Sequence, residues 1–276
     1  MLVSVVITTK NEEKNIEPCL KSIENQSYKE VEIIVVDNNS TDKTKEIALK
    51  YTPFVFDKGP ERSAQRNYGI IEKAKGEYAM FLDADMTLSP DLVKDCVDFI
   101  GRENCAALHI SEIVLGNNFW SRVRRFERSF YDGTVIDGAR FFRRDLFIKV
   151  GGFDEAMSGP EDWDLDKKIK QIGTIGLVPA GNNRAVIYHN EAEFNLKKYL
   201  NKKGYYAASF EKYINKWGKD DPDIKKQFGL YYRYFGVFLE HGKWRKILAH
   251  PVLTLGMFFL RGMVGVKFLI KKIRNK

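Results

Sequence analysis

Four short apolar runs, each followed by a helix-patterned stretch, constrain this chain more than any other feature. Residues 3–9, 31–36, 53–56 and 78–82 are the runs. The run at 78–82, Tyr-Ala-Met-Phe-Leu, shows no alternation of apolar and polar positions, as expected of a strand buried on both faces. Between the runs, 11–25, 43–51 and 63–75 read as helices, and 90–100 follows as another. Asn39-Ser40-Thr41-Asp42 supplies a helix entry and Gly76 a helix exit. This β-α-β-α alternation predicts an α/β fold with a mostly parallel, doubly wound sheet flanked by helices. Ligands of such sheets bind at the carboxyl edge of the strands.

The middle of the chain is mixed. Residues 106–114 read as a strand, 119–130 as a basic helix and 135–142 as a strand or extended loop. A helix over 161–172 and short strands at 174–178 and 185–188 follow. From 195 onward the pattern is helical, over 195–217, 223–239 and 243–273. No repeat or low-complexity linker interrupts it. The expected division is a catalytic domain over 1–190 and a helical C-terminal extension over 191–276 packed upon it.

With 276 residues and 44% hydrophobic content the chain can bury a sizeable core. Its net charge of +8 calls for an anionic partner. No Asp or Glu follows Glu240, whereas nine Lys and Arg do, so the excess sits in the tail. Cys19, Cys96 and Cys105 are odd in number and lack C-x-x-C spacing, which suits a reducing compartment. The opening residues lack a signal-peptide pattern, and no run of about 18 uncharged apolar residues is present.

Asp83-Ala84-Asp85 stands where the fourth run stops. Two carboxylates at a sheet edge repel one another unless a cation joins them. A divalent metal holding a diphosphate fits, and so does a solvated turn capping the next helix. Three further polar clusters matter: Thr8-Thr9-Lys10-Asn11-Glu12, Asp37-Asn38-Asn39-Ser40, and Glu161-Asp162-Trp163-Asp164 after a glycine-rich approach from Gly151. The first three clusters follow successive parallel strands and should converge on one crevice.

These segments resemble the family 2 glycosyltransferases of GT-A fold. The resemblance is carried by 5–12, 35–42, 81–85 and 151–162, in the family's order and spacing. Arg62-Ser63-Ala64-Gln65-Arg66-Asn67-Tyr68-Gly69 also looks like that family's Ala-Arg-Asn-x-Gly helix start. The resemblance covers roughly 1–190 and implies an inverting enzyme that uses a nucleotide-diphosphate sugar. Thr8, Thr9 and Glu12 would line the nucleoside pocket. Asp37 would accept a hydrogen bond from the base, most naturally from uracil. Asp83 would hold ribose or metal, and Asp85 would bind Mn²⁺ or Mg²⁺. Asp162 would be the general base, with Glu161 positioning it or the acceptor. Asn38-Asn39 stands where many members have Asp-Gly, which leaves the base identity open.

Carboxylate oxygens suit these hard ions, and an acceptor hydroxyl needs a base within reach. Glu161-Asp162 also reads as an acidic first helical turn. His189, after the last short strand, is either a third metal ligand or a structural histidine. Arg66 approaches the diphosphate or makes a structural pair, and the same holds for Arg62. Arg122, Arg124, Arg125 and Arg128 would meet a phosphorylated acceptor or form a solvated face. Lys197, Lys198, Lys202 and Lys203, with Tyr199, Tyr205 and Tyr206, would line an acceptor cleft or form a solvated helix surface.

At helical spacing Leu255, Phe258, Phe259, Met263, Val266, Leu269, Ile270 and Ile273 share one face, with Arg261, Lys267, Lys271, Lys272 and Arg274 off it. Such a helix lies in a membrane interface, or else packs on the core or a second subunit. The expectation is a cytoplasmic enzyme, peripheral on the inner face of the cell membrane. It would transfer a sugar, with a UDP-sugar favoured, to a lipid-linked or envelope glycan acceptor. The rival within the family is a polyprenyl-phosphate sugar synthase resembling dolichyl-phosphate mannose synthase. The rival outside it is a non-catalytic binder of nucleic acid or another anionic surface. Acidic strand ends repel phosphates in the absence of metal and oppose nucleic acid.

Overall fold

The computed structural model describes residues 1–181, 185–206 and 209–274, and the side chains of 1–181, 185–205 and 209–267. The chain opens with β1 (Val3–Thr9), all seven residues of which are buried. α1 (Ile16–Glu24) turns Ile16, Cys19, Leu20 and Ile23 inward at helical spacing. It begins later than the sequence suggests, because Asn11 takes a left-handed φ of 54° and the N–H groups of Asn15 and Ile16 both turn back to the Glu12 carbonyl. β2 (Val31–Asp37), α2 (Thr44–Ala48), β3 (Val55–Asp57), α3 (Arg62–Asn67) and β4 (Tyr78–Asp83) follow. α3 continues into a π-helical turn over Tyr68–Lys73.

The second stretch supplies β5 (Met86–Leu88), α4 (Leu92–Glu103), β6 (Ala107–His109), β7 (Ser111–Val114) and α5 (Phe119–Arg128). β8 (Phe141–Arg143), α6 (Arg144–Lys149), α7 (Glu161–Lys170), β9 (Ile175–Leu177) and β10 (Val186–His189) complete it. The main sheet has the order β3-β2-β1-β4-β8-β6-β9. β8 runs antiparallel to β4 and β6, and the other pairs are parallel. Val3, Val5 and Ile7 pack with α1 and α4 on one face, while Val6 packs with Phe81, Phe142 and Leu165 on the other. The single strand expected at 106–114 is two strands. β6 stays in the main sheet, and β7 joins β10 and β5 in a second, three-stranded sheet. Residues 135–140 are irregular, and α6 was not visible in the sequence pattern.

The C-terminal helices are α8 (Leu196–Tyr206), α9 (Phe210–Trp217), α10 (Pro222–Phe228), α11 (Val237–Leu239), α12 (Trp244–Ala249) and α13 (Pro251–Arg274). A π-helical turn over Tyr232–Gly236 precedes α11. The helix expected over 195–217 is α8 and α9, the one over 223–239 breaks at Gly229, and the one over 243–273 breaks at His250 before Pro251. Gly218, at φ 89°, ends α9, and Asp221 caps α10 with Pro222 at its first position. α13 lies on α5: Met257 and Leu260 bury against Val123, Phe126 and Phe130. A Cβ on Gly256 would stand 2.7 Å from Val123, so the glycine permits the approach.

Arg261 is a correction. It was expected on the polar outer face of α13, yet it is buried and donates to Glu127 Oε1 at 3.1 Å and to the Tyr131 hydroxyl at 3.0 Å. Leu255, Phe259 and Val266 remain exposed on that helix. The expected Leu269, Ile270, Lys271, Lys272, Ile273 and Arg274 side chains lie outside the described residues. Among the described residues no helix is long and apolar enough to cross a membrane.

Candidate active site

β1, β2 and β4 end together, because the parallel register sets Thr9 beside Asp37 and Thr8 beside Asp83. A crevice of about 1360 Å³ opens at that edge. Thr8, Thr9, Glu12, Arg66, Asp83, Asp85, Glu161, Asp162 and His189 all line it. Asp37 does not. It is fully buried, and its carboxylate accepts the Ser40 N–H at 2.6 Å. Asp37 thus holds the turn in which Asn39 takes φ 50°, and Asn38 faces the crevice in its place.

Arg66 organises the floor. Its guanidinium is 1% exposed and lies 4.1 Å from the centroid of Phe81. It donates to Asp83 at 3.0 Å and to Asp162 at 3.2 Å. Arg62 approaches Asp83 and Glu161, each at 3.5 Å. Burial would raise the Asp83 pKa, but Arg66, Arg62 and Arg140 hold this carboxyl far below the usual range. Thr8 Oγ1 also donates to it at 3.2 Å. Asp83 therefore faces arginines, and its expected part in holding a metal is not what this geometry offers.

Asp85 differs. Its Oδ1 is buried and has no hydrogen-bond partner among the described residues, and its Oδ2 lies 3.3 Å from His189 Nε2. His189 Nδ1 meets Glu112 Oε1 at 2.7 Å. Burial works against charge on His189, yet its hydrogen bonds to Asp85 and Glu112 push it up to about 10. Glu112 is anchored in turn by Arg140 at 3.3 Å and Arg128 at 3.6 Å. The orphaned oxygen beside an imidazole whose other nitrogen is fixed by a carboxylate fits a hard divalent ion, and binding would displace the imidazole proton. Among the described residues no three acidic, His or Cys side chains form a cage.

Glu161 and Asp162 open α7. The glycine-rich approach is locked by Asn67, which accepts from the Phe153 N–H at 2.8 Å and donates to the Phe153 carbonyl at 3.0 Å. Glu161 keeps 4% side-chain exposure and accepts from the Gly159 N–H. Burial and the neighbouring Asp162 charge raise its pKa. Asp162 keeps 30% side-chain exposure and is the more open of the two carboxylates. Gly138 makes room for it, since a Cβ there would stand 2.7 Å from Asp162 Cβ.

Residues 4–153 match the family model for Glycosyl transferase family 2. The chain belongs to that family. The glycosyltransferase is 27% identical over 200 residues to the PGL/p-HBAD biosynthesis glycosyltransferase of Mycobacterium bovis, covering 68% of this chain and 76% of the relative. S. aureus TarS 1–349, solved with UDP-GlcNAc, superposes with TM-score 0.58 at 21% identity over 96% of this chain and 80% of that one. The mannosyltransferase PcManGT of Pyrobaculum calidifontis, solved with GDP-Man and Mn²⁺, superposes with TM-score 0.63 at 19% identity over 96% and 83%. The fold is accordingly GT-A.

The sequence reading missed several residues of the glycosyltransferase crevice. Glu112 was hidden inside a strand, although an acid in an otherwise apolar β-run is itself a signal. Arg140 and Gly138 lie in the irregular segment before β8 and carried none. The basic helix divides: Arg124 and Arg128 face the crevice, Arg125 binds the Val114 and Gly116 carbonyls, and Arg122 points to solvent.

Proposed function

We propose that this glycosyltransferase moves a sugar from a nucleoside-diphosphate donor, a UDP-sugar in the first instance, to a hydroxyl of a lipid-linked or envelope glycan acceptor, with inversion. One observation carries the reading: a single crevice holds Asp85 with its unpartnered oxygen and the accessible, arginine-tethered Asp162. Asp162 accepts the acceptor's proton. Arg66 fixes its orientation, and Glu161 shapes the helix start beneath it. Thr9, Glu12 and Asn38 line the nucleoside end, and Asp83 is positioned for ribose. Asp85 and His189 would hold Mn²⁺ or Mg²⁺, which when bound stabilises charge on the departing diphosphate. Nucleotide sugars bound to TarS and PcManGT support this class of donor.

A polyprenyl-phosphate acceptor is the second reading, favoured by the cationic far end of the crevice. A nucleic-acid binder is disfavoured by the acids at the strand ends. The proposed location is the inner membrane face. Exposed Leu248, Val252, Leu255 and Phe259 adjoin Arg245 and Lys246 there, the pairing that an anionic leaflet attracts. The test is a panel of UDP- and GDP-sugars with Mn²⁺ or Mg²⁺. Metal-dependent consumption of one donor is expected. No consumption of any donor would overturn the reading.

A further inference from the structure

The crevice runs on into a chamber bounded by α5, α8, the 232–236 turn and α13. Arg124, Lys203, Arg233 and Arg261 line it, opposed by Glu127 and Glu191. The acids are already taken. Arg261 holds Glu127 at 3.1 Å, and Arg124 pairs with Glu127 and reaches Glu191 at 3.7 Å. Among the described residues Arg233 and Lys203 have no ion pair. Arg233 gives its Nε to the Gln227 carbonyl at 2.6 Å, and Lys203 lies 5.6 Å from the Tyr199 ring centroid. Arg124 is 8% exposed, and its Nε has no hydrogen-bond partner.

The Glu127 charge also reaches Lys203 and Arg233 but is shared with Arg124 and Arg261, so these partly buried cations are under-compensated and an incoming anion relieves them. Burial, helped by the Arg124 charge, pushes Lys203 down to about 8. Burial likewise pushes Arg233 down. A guanidinium fork beside an ammonium matches the oxygens of a phosphate group.

We propose that this chamber is an acceptor subsite for a phosphate group, held by Arg233 and Lys203 with Arg124 behind them. The inference rests on the glycosyl-transfer reading and adds that the acceptor carries a phosphoryl group. Phe228, Leu230 and Val264 also line the crevice and suit an alkyl chain. The phosphate therefore comes either from a lipid phosphate or from a phosphorylated glycan.

Calorimetric titration of the full chain in EDTA with inorganic phosphate tests the subsite. Saturable binding is expected, weakened at least tenfold by Arg233→Gln and by Lys203→Gln and unmoved by Lys94→Gln, since Lys94 pairs with Asp98 on α4 and does not line the crevice. Lys203 makes no hydrogen bond among the described residues, so Lys203→Gln stays readable if Arg233→Gln does not fold. Tighter binding of decyl phosphate than of glycerol phosphate supports the subsite and assigns a lipid source; equal binding supports it and assigns a glycan. Absence of saturable binding, or binding unmoved by both variants, overturns the inference. Wild type that consumes a sugar nucleotide yet binds no phosphate brings down this inference alone. Wild type that consumes none brings down the transfer reading as well.

Discussion

Arg66 Nη1 lies 3.2 Å from Asp162 Oδ1, which ties this carboxylate of α7 to a guanidinium buried on Phe81. Removing that guanidinium leaves Asp83 to Arg62 at 3.5 Å. Arg66→Met should cost roughly 3–5 kcal/mol, as broken buried pairs do. Urea denaturation measures it. Arg66→Lys keeps the charge but loses the planar fork, so it should retain more stability than Arg66→Met while still lowering turnover.

Gly138 tests the room left for Asp162. An added methyl meets Asp162 Cβ at 2.7 Å, and Gly138 is not among the positive-φ glycines. Gly138→Ala should lower donor consumption about 10²-fold, the scale of an ångström-sized misplacement. The contact is with a Cβ fixed to the α7 backbone, so the variant should also lose about 1–3 kcal/mol of stability in urea denaturation.

His109 predicts the pH response of the fold. It is buried, 2.6 Å from Asp166 and 3.9 Å from Asp137. Burial lowers its pKa, but Asp166 and Asp137 outweigh burial and the net shift is upward. A raised folded value means that its contribution is fully present below the unfolded value of about 6.5 and fades as pH rises through the folded value. The stability advantage of wild type over His109→Gln should therefore be largest below about pH 6.5 and shrink as pH rises above it. Urea midpoints on both sides of that pH check the sign.

The membrane proposal is tested at exposed side chains outside the buried clusters. Leu255 is 72% exposed and Val252 64%, whereas the Phe259 ring lies 5.6 Å from Trp120. Replacing Leu255 and Val252 by Glu should weaken binding to phosphatidylglycerol liposomes at least tenfold with little change in melting temperature. Unchanged sedimentation with liposomes would assign this face elsewhere. Removing α13 altogether is a poor test, because Met257, Leu260 and Arg261 hold α5 in place.

The strand edge was legible because apolar runs followed by helices force a parallel sheet, and a parallel sheet puts Thr8, Thr9, Asp83 and Asp85 at one end. What each acid does there was not. Asp37 turns inward because Ser40 offers its N–H, and Asp83 turns to Arg66, a partner delivered by α3. Gly218 and Pro222 marked the boundary between two C-terminal helices correctly, whereas the breaks at Gly229 and before Pro251 fall inside stretches read as continuous helix. Arg233, Lys203 and Arg261 gained meaning only from the packing of α13 on α5, which no local pattern encodes. Arg261 in particular reads as a polar-face residue until the buried Glu127 is known to lie opposite it.

The most direct measurement is metal-dependent donor consumption by Asp162→Asn. The account predicts a rate about 10²- to 10⁴-fold below wild type, the range for a lost general base, with an unchanged melting temperature. Near-wild-type turnover would contradict it and point to an acceptor that arrives already ionised.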